Sequence, residues 1–120
     1  MGGRPRAAAA PPKDVHERAL GLLAVRQRSR RELQRRLLRA GFLPEQVDPE
    51  LGRLEAVGLL DDEAFARAVA EQGFGAKKQG RRAVAVKLAA AGVATETAGA
   101  ILDELGGGER ERAQELADAR

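Results

Sequence analysis

The strongest constraint on this chain is that it repeats itself. Residues 28–42 (RSRRELQRRLLRAGF) superpose without a gap on residues 79–93 (QGRRAVAVKLAAAGV), 51 positions further on. Arg30 matches Arg81, Arg31 matches Arg82, Leu37 matches Leu88, Ala40 matches Ala91 and Gly41 matches Gly92. The register continues through Glu45 and Glu96, Leu51 and Leu102, and Leu54 and Leu105, which makes eight identities over positions 28–54. These matches fall on turns and apolar positions, so the repeat marks a folding unit of about 50 residues. One such unit is marginal alone, and stacking of copies would complete each core. The first helices of the two copies align less well, because the connection before the fifth helix is longer by about five residues.

From Asp14 onward nearly every local signal is helical, with Ala, Leu, Arg and Glu dominant and no β-branched runs. Asp14 caps a first helix, with Glu17 at the capping-box position and Val15, Ala19, Leu22 and Leu23 on its apolar side. Ser29 and Glu32 form a second capping box, opening a helix that buries Leu33, Leu37 and Ala40 and stops at Gly41. A third helix covers roughly 44–57 with Val47, Leu51 and Leu54 inward, and Asp48-Pro49 suggests that its regular part begins only there. Asp61 caps a fourth helix running to about Gln72, with Phe65 and Val69 inward, followed by a basic loop or frayed end over 73–80. A fifth helix spans 81–91 and a sixth about 96–105, ended by Gly106-Gly107-Gly108.

The expected architecture is therefore all-α, built of tandem three-helix repeats with helix-turn-helix-like packing: two complete copies and the start of a third. Residues 1–13 read as a disordered basic arm, 14–60 as repeat one, 61–105 as repeat two, and 106–120 as a glycine linker and truncated third repeat.

Composition removes several function classes. The chain has no Cys, and His16 is its only histidine. A disulfide scaffold, a thiolate metal site, a Cys nucleophile and an ordinary Ser-His-Asp triad all lack parts or have only one candidate part. Asp61-Asp62-Glu63 suits helix capping better than a metal or acid–base site, and His16 reads as an exposed first-turn residue. GAKKQGRR (75–82) has the glycine skeleton of a phosphate loop, but Arg81-Arg82 replaces Lys-Ser/Thr and no strand precedes it. Phe42, Phe65 and Phe74 are too few for a base-stacking platform. No catalytic residue, cofactor or metal is expected. No segment approaches the roughly 18 to 20 apolar residues of a bilayer span, and the expected location is the cytoplasm.

Net charge is only +3, yet charge segregates with the repeat. Residues 26–39 hold seven Arg against Glu32, and residues 77–87 hold five cations and no acid. At 100° per residue, Arg28, Arg31, Arg35 and Arg39 line one side of the second helix, opposite Leu33 and Leu37. The second copy keeps Arg82 but has Val86 and Ala90 where Arg35 and Arg39 stand. A solvated face with local pairs such as Glu32–Arg36 accounts for any single residue. The whole stripe points to an anionic partner, either nucleic acid or an acidic protein groove. The candidate binding residues are Arg28, Arg31, Arg35 and Arg39, with Lys77, Lys78, Arg81, Arg82 and Lys87 as a second patch.

These residues resemble the RecX family of recombination regulators. The resemblance is carried by ALGLLAVRQRSRRELQRRLLRAGF (19–42), the junction GLLDDEAFA (58–66) and GRRAVAVKLAAAGV (80–93). It implies tandem three-helix repeats, no catalytic activity, and binding along the groove of the RecA filament on single-stranded DNA; a monomer is expected. The implied effect is to restrain ATP hydrolysis and strand exchange and to modulate the SOS response. A sequence-specific helix-turn-helix DNA-binding protein, with the second helix as reader, is the alternative. A helical adaptor for an acidic protein surface is a third.

Overall fold

The computed structural model describes residues 14–106, and the expected basic arm (1–13) and third-repeat segment (109–120) lie outside that range. Six helices follow in order: α1 (Val15–Val25), α2 (Arg30–Arg39), α3 (Pro44–Ala56), α4 (Asp62–Phe74), α5 (Arg81–Ala90) and α6 (Thr95–Leu105). No strand occurs among the described residues, so the all-α expectation holds. The chain divides into two compact units, Met1–Leu60 and Asp61–Arg120. In the first α1, α2 and α3 pack on one another, and in the second α4, α5 and α6 do.

The repeat is kept in three dimensions at the resolution of single helix ends. α2 and α5 start, and α3 and α6 start, 51 positions apart. α1 and α4 start 47 apart, because α4 is two residues longer than α1 and the connection after it is two residues longer again. The discrepancy is thus shared between helix and loop rather than lying in the loop alone. At this 47-residue offset Ala19 and Ala66 coincide, and both are fully buried. A methyl side chain there lets neighbouring helices approach closely.

Helix ends follow local chemistry. The side chains of Asp14, Ser29 and Asp61 accept from backbone amides of the first turn at 2.8 to 3.1 Å. After α2, Phe42 N–H donates to the Leu37 carbonyl and Gly41 N–H to the Leu38 carbonyl, while Gly41 takes φ 106°. After α5, Val93 and Gly92 repeat the pattern on Leu88 and Ala89, with Gly92 at φ 82°. This paired closure needs a left-handed residue, which glycine adopts without Cβ strain. Phe42 and Val93 then drop into their units' cores.

α3 begins at Pro44 rather than at Asp48-Pro49, and Pro49 lies inside it. Pro44 occupies the first turn, where a missing N–H costs nothing. Pro49 removes the bond to the Glu45 carbonyl, and both residues are exposed, which leaves that carbonyl open to water. Gln46 completes the start of α3 by accepting from Leu43 N–H at 2.9 Å.

The first core joins Ala19, Leu33, Leu37, Phe42, Val47, Leu51, Leu54 and Leu60. The second joins Phe65, Ala66, Ala70, Val84, Leu88, Val93, Ile101 and Leu102, with Phe74 packed against it. A carboxylate enters the first core. Glu50 is fully buried, accepts from His16 Nδ1 at 2.6 Å and from Arg53 at 2.8 and 3.2 Å, and so ties α1 to α3. His16 is exposed as expected, but its partner 34 residues away gives it a structural role. None of the described helices is long and apolar enough to cross a membrane.

Candidate functional site

Seven arginines lie between 26 and 39, and the fold sorts them into two sets. Glu32, positioned by Ser29 at the start of α2, accepts from Arg26 and, at 2.8 Å, from Arg28. Arg28 also donates through Nε to the Leu22 carbonyl at the end of α1. Arg30 meets Glu55 of α3 at 3.2 Å. These three arginines hold the unit together.

Arg28 is therefore a correction to the expected stripe. Its residue is 4% exposed. The 100° rule fails for it because Ser29 is the N-cap, with φ −74° and ψ 162°. Arg28 precedes the helix on extended backbone, which aims its side chain back at α1.

Arg31, Arg35, Arg36 and Arg39 form the second set. All four are exposed, and none meets a carboxylate among the described residues. Arg31, Arg35 and Arg39 follow one line along α2 at intervals of roughly 6 Å. Arg36 was not anticipated, because its spacing from Glu32 suggests a local pair. The pair does not form, since Arg26 and Arg28 occupy the carboxylate from the other side. Gln34, the one neutral polar side chain on this helix, donates to Asp48 at 3.4 Å.

In the second unit Arg81 donates to Asp103 of α6 at 2.6 Å and is half-buried. It is the counterpart of Arg30 and does the same work, fastening the start of the middle helix to the third, so it too leaves the expected patch. Lys77, Lys78, Arg82 and Lys87 are exposed and meet no carboxylate among the described residues. The loop that carries the lysines is pinned by Lys77 N–H on the Gln72 carbonyl and Gln79 N–H on the Gly73 carbonyl, with Lys78 in the left-handed region at φ 53°.

Lys77 and Lys87 come together. A hydrogen bond from Lys77 favours the neutral amine of Lys87, and desolvation and Coulombic repulsion add to it, lowering Lys87 from the ordinary lysine value. Lys87 stands at the repeat position of Arg36, and Arg82 at that of Arg31. The 62% exposed Val86 and the exposed Ala90 replace Arg35 and Arg39.

A different balance holds on the outer side of α4 and α6. Glu63, Glu96 and Glu104 line an open cleft of about 280 Å³ with Ile101 at its floor. Arg67 bridges Glu104 at 2.6 Å and Glu63 at 3.6 Å. The hydrogen bond with Arg67, and then its charge, hold the Glu104 carboxyl below the usual carboxylate value.

Comparison with known proteins places both units. Residues 16–54 match the model of the RecX first three-helix domain and residues 61–102 that of the RecX second three-helix domain. The regulatory protein RecX of Pelodictyon phaeoclathratiforme is 36% identical over 86 residues, covering 72% of this chain and 54% of that protein. The regulatory protein RecX of Mycolicibacterium smegmatis is 40% identical over 99 residues, covering 81% and 52%. The chain thus spans about half the length of these relatives. In fold it is similar to the crystal structure of RecX from Lactobacillus salivarius, with a TM-score of 0.71 at 19% identity over 77% of this chain and 62% of that one.

Proposed function

Since the chain belongs to the RecX family, we propose that it regulates the recombinase RecA by binding. In this reading it docks in the cytoplasm, as a monomer and without turnover of its own, on RecA filaments on single-stranded DNA. It restrains ATP hydrolysis and strand exchange, and so modulates the SOS response. The observation that carries the reading is the set of exposed arginines on α2 that no carboxylate among the described residues neutralises, in a first three-helix domain of this family. Lys77, Lys78, Arg82 and Lys87 form the matching set in the second unit.

The test is a RecA ATPase titration at two salt concentrations, with the wild-type chain and an R31E/R35E/R39E variant. Inhibition by the wild type that weakens at the higher salt, and is lost in the variant while its helical circular dichroism is retained, is the expected result. Unchanged inhibition by a folded variant would show that these arginines are not the contact. The helix-turn-helix alternative needs side chains on α2 that read base edges. Gln34 is held by Asp48, whereas exposed arginines can read guanine as well as grip phosphate, so tight sequence-dependent duplex binding without RecA is the outcome that would favour it.

A further inference from the structure

Resting on that docking reading, we infer a division within it: the exposed face of α2, formed by Arg31, Arg35, Arg36 and Arg39, grips the sugar-phosphate backbone of a nucleic-acid strand directly. Three properties of the face select a phosphodiester chain over an acidic protein surface.

The first is residue type. All four cations are arginine, whose planar fork can give a phosphate two parallel hydrogen bonds and which stays charged at every working pH. The second is regularity. Three of them recur every fourth residue on one line, spaced at roughly 6 Å, which suits a polymer carrying one charge per monomer. The third is the absence of an apolar centre. Leu38, at the edge of the line, is only 39% exposed, whereas protein interfaces bury an apolar middle inside a polar rim.

The second unit supplies the internal contrast. At the positions of Arg35 and Arg39 it presents Val86 and Ala90, beside Arg82 and Lys87. Its four exposed cations equal those of α2 in number but not in type or order. Neutralising either set changes net charge equally, which separates a built contact from general attraction.

The experiment measures binding of the full chain, without RecA, to a fluorescent thymidine homopolymer by anisotropy across a salt series. Variants are R31Q/R35Q/R36Q/R39Q and K77Q/K78Q/R82Q/K87Q, each checked by circular dichroism. Each phosphate contact on a single strand contributes about 0.7 to the slope of log affinity against log salt, so losing four lowers it by about 3. The α2 variant is expected to lose that slope and at least about tenfold in affinity at low salt. The second-unit variant is expected to stay within about threefold of wild type. Equal losses in both variants, an unchanged slope in the α2 variant, or no wild-type binding at the lowest salt would each overturn the inference. The ATPase titration distinguishes its failure from that of the docking reading. Loss of RecA inhibition with DNA affinity intact would assign the face to protein, whereas loss of DNA affinity with inhibition intact would leave this inference standing and sink the docking role.

Discussion

The two units set their helices in the same frame and fill that frame with different chemistry. Position 50 in the first and position 101 in the second are equivalent, 51 residues apart. The first holds a fully buried glutamate that meets His16 and Arg53, the second a buried isoleucine. At the places of His16 and Arg53 the second unit has Glu63 and Glu104, which Arg67 draws together over the cleft. A buried carboxylate is tolerated where Arg53 and a hydrogen bond with His16 meet it, and an aliphatic side chain replaces it where the neighbours are acids. The same logic reaches the surface. Arg30 and Arg81 are spent on helix fastening in both units, while the outer face is arginine on α2 and mixed on α5. Duplication preserves the framework and frees the outside to diverge.

The largest expected effect exploits that swap. Ile101→Glu places a carboxylate beside Glu63, Glu96 and Glu104, where Arg67 is already engaged, and should cost about 3 to 5 kcal/mol in urea unfolding. The mirror change, Glu50→Ile, should leave stability level or raise it, because His16 and Arg53 are exposed and return to water. If both changes cost alike, the two sites are not chemical opposites.

Close packing is the next test. A Cβ on Gly73 would lie 2.7 Å from Val84 Cγ2, a stiff and fully buried side chain. Gly73→Ala should therefore destabilise by about 1 to 3 kcal/mol. Gly52→Ala on α3 meets nothing within 4 Å and should stabilise by up to about 1 kcal/mol. Thermal melts of the two variants must move in opposite directions.

Helix starts separate the units more finely. Ser29→Ala removes the bond to Glu32 N–H, for a loss of about 1 kcal/mol. Gly80 has no side-chain cap, so Gly80→Ser should gain a few tenths of a kcal/mol by the same measurement.

The smallest effect is in titration. Lys87 is lowered in the folded chain, so folding is disfavoured while it is protonated. Stability should rise with pH between its folded value and the ordinary lysine value near about 10.4. Lys77→Met should move Lys87 upward, seen by NMR of its side chain, and flatten that rise.

What could be read without coordinates was local or periodic. Ser29, Asp14 and Asp61 caps, the Gly41 and Gly92 closures, and the inward Leu33, Leu37, Leu51 and Leu54 all follow from neighbours within a turn or two. Pro49 is the local rule that misled, since proline's penalty is small where water can reach the freed carbonyl. The arginines divide the same way. Arg31, Arg35 and Arg39 face outward because helical periodicity opposes them to Leu33 and Leu37. Arg28 was misassigned because periodicity stops at the cap, and Arg36 was missed because Glu32 had competing partners upstream.

The amino-acid order alone fixed six helices, their duplication and the outward arginine line, because caps, turns and 3.6-residue periodicity act over a few residues. Only the packed structure decided which cations are spent on holding helices together and which remain available. That choice depends on which carboxylates reach them, and the contacts of Arg30 with Glu55 and of Arg81 with Asp103 join different helices across 25 and 22 positions. The pairing of His16 with Glu50 and the meeting of Lys77 with Lys87 belong to the same class, set by tertiary proximity rather than by sequence spacing.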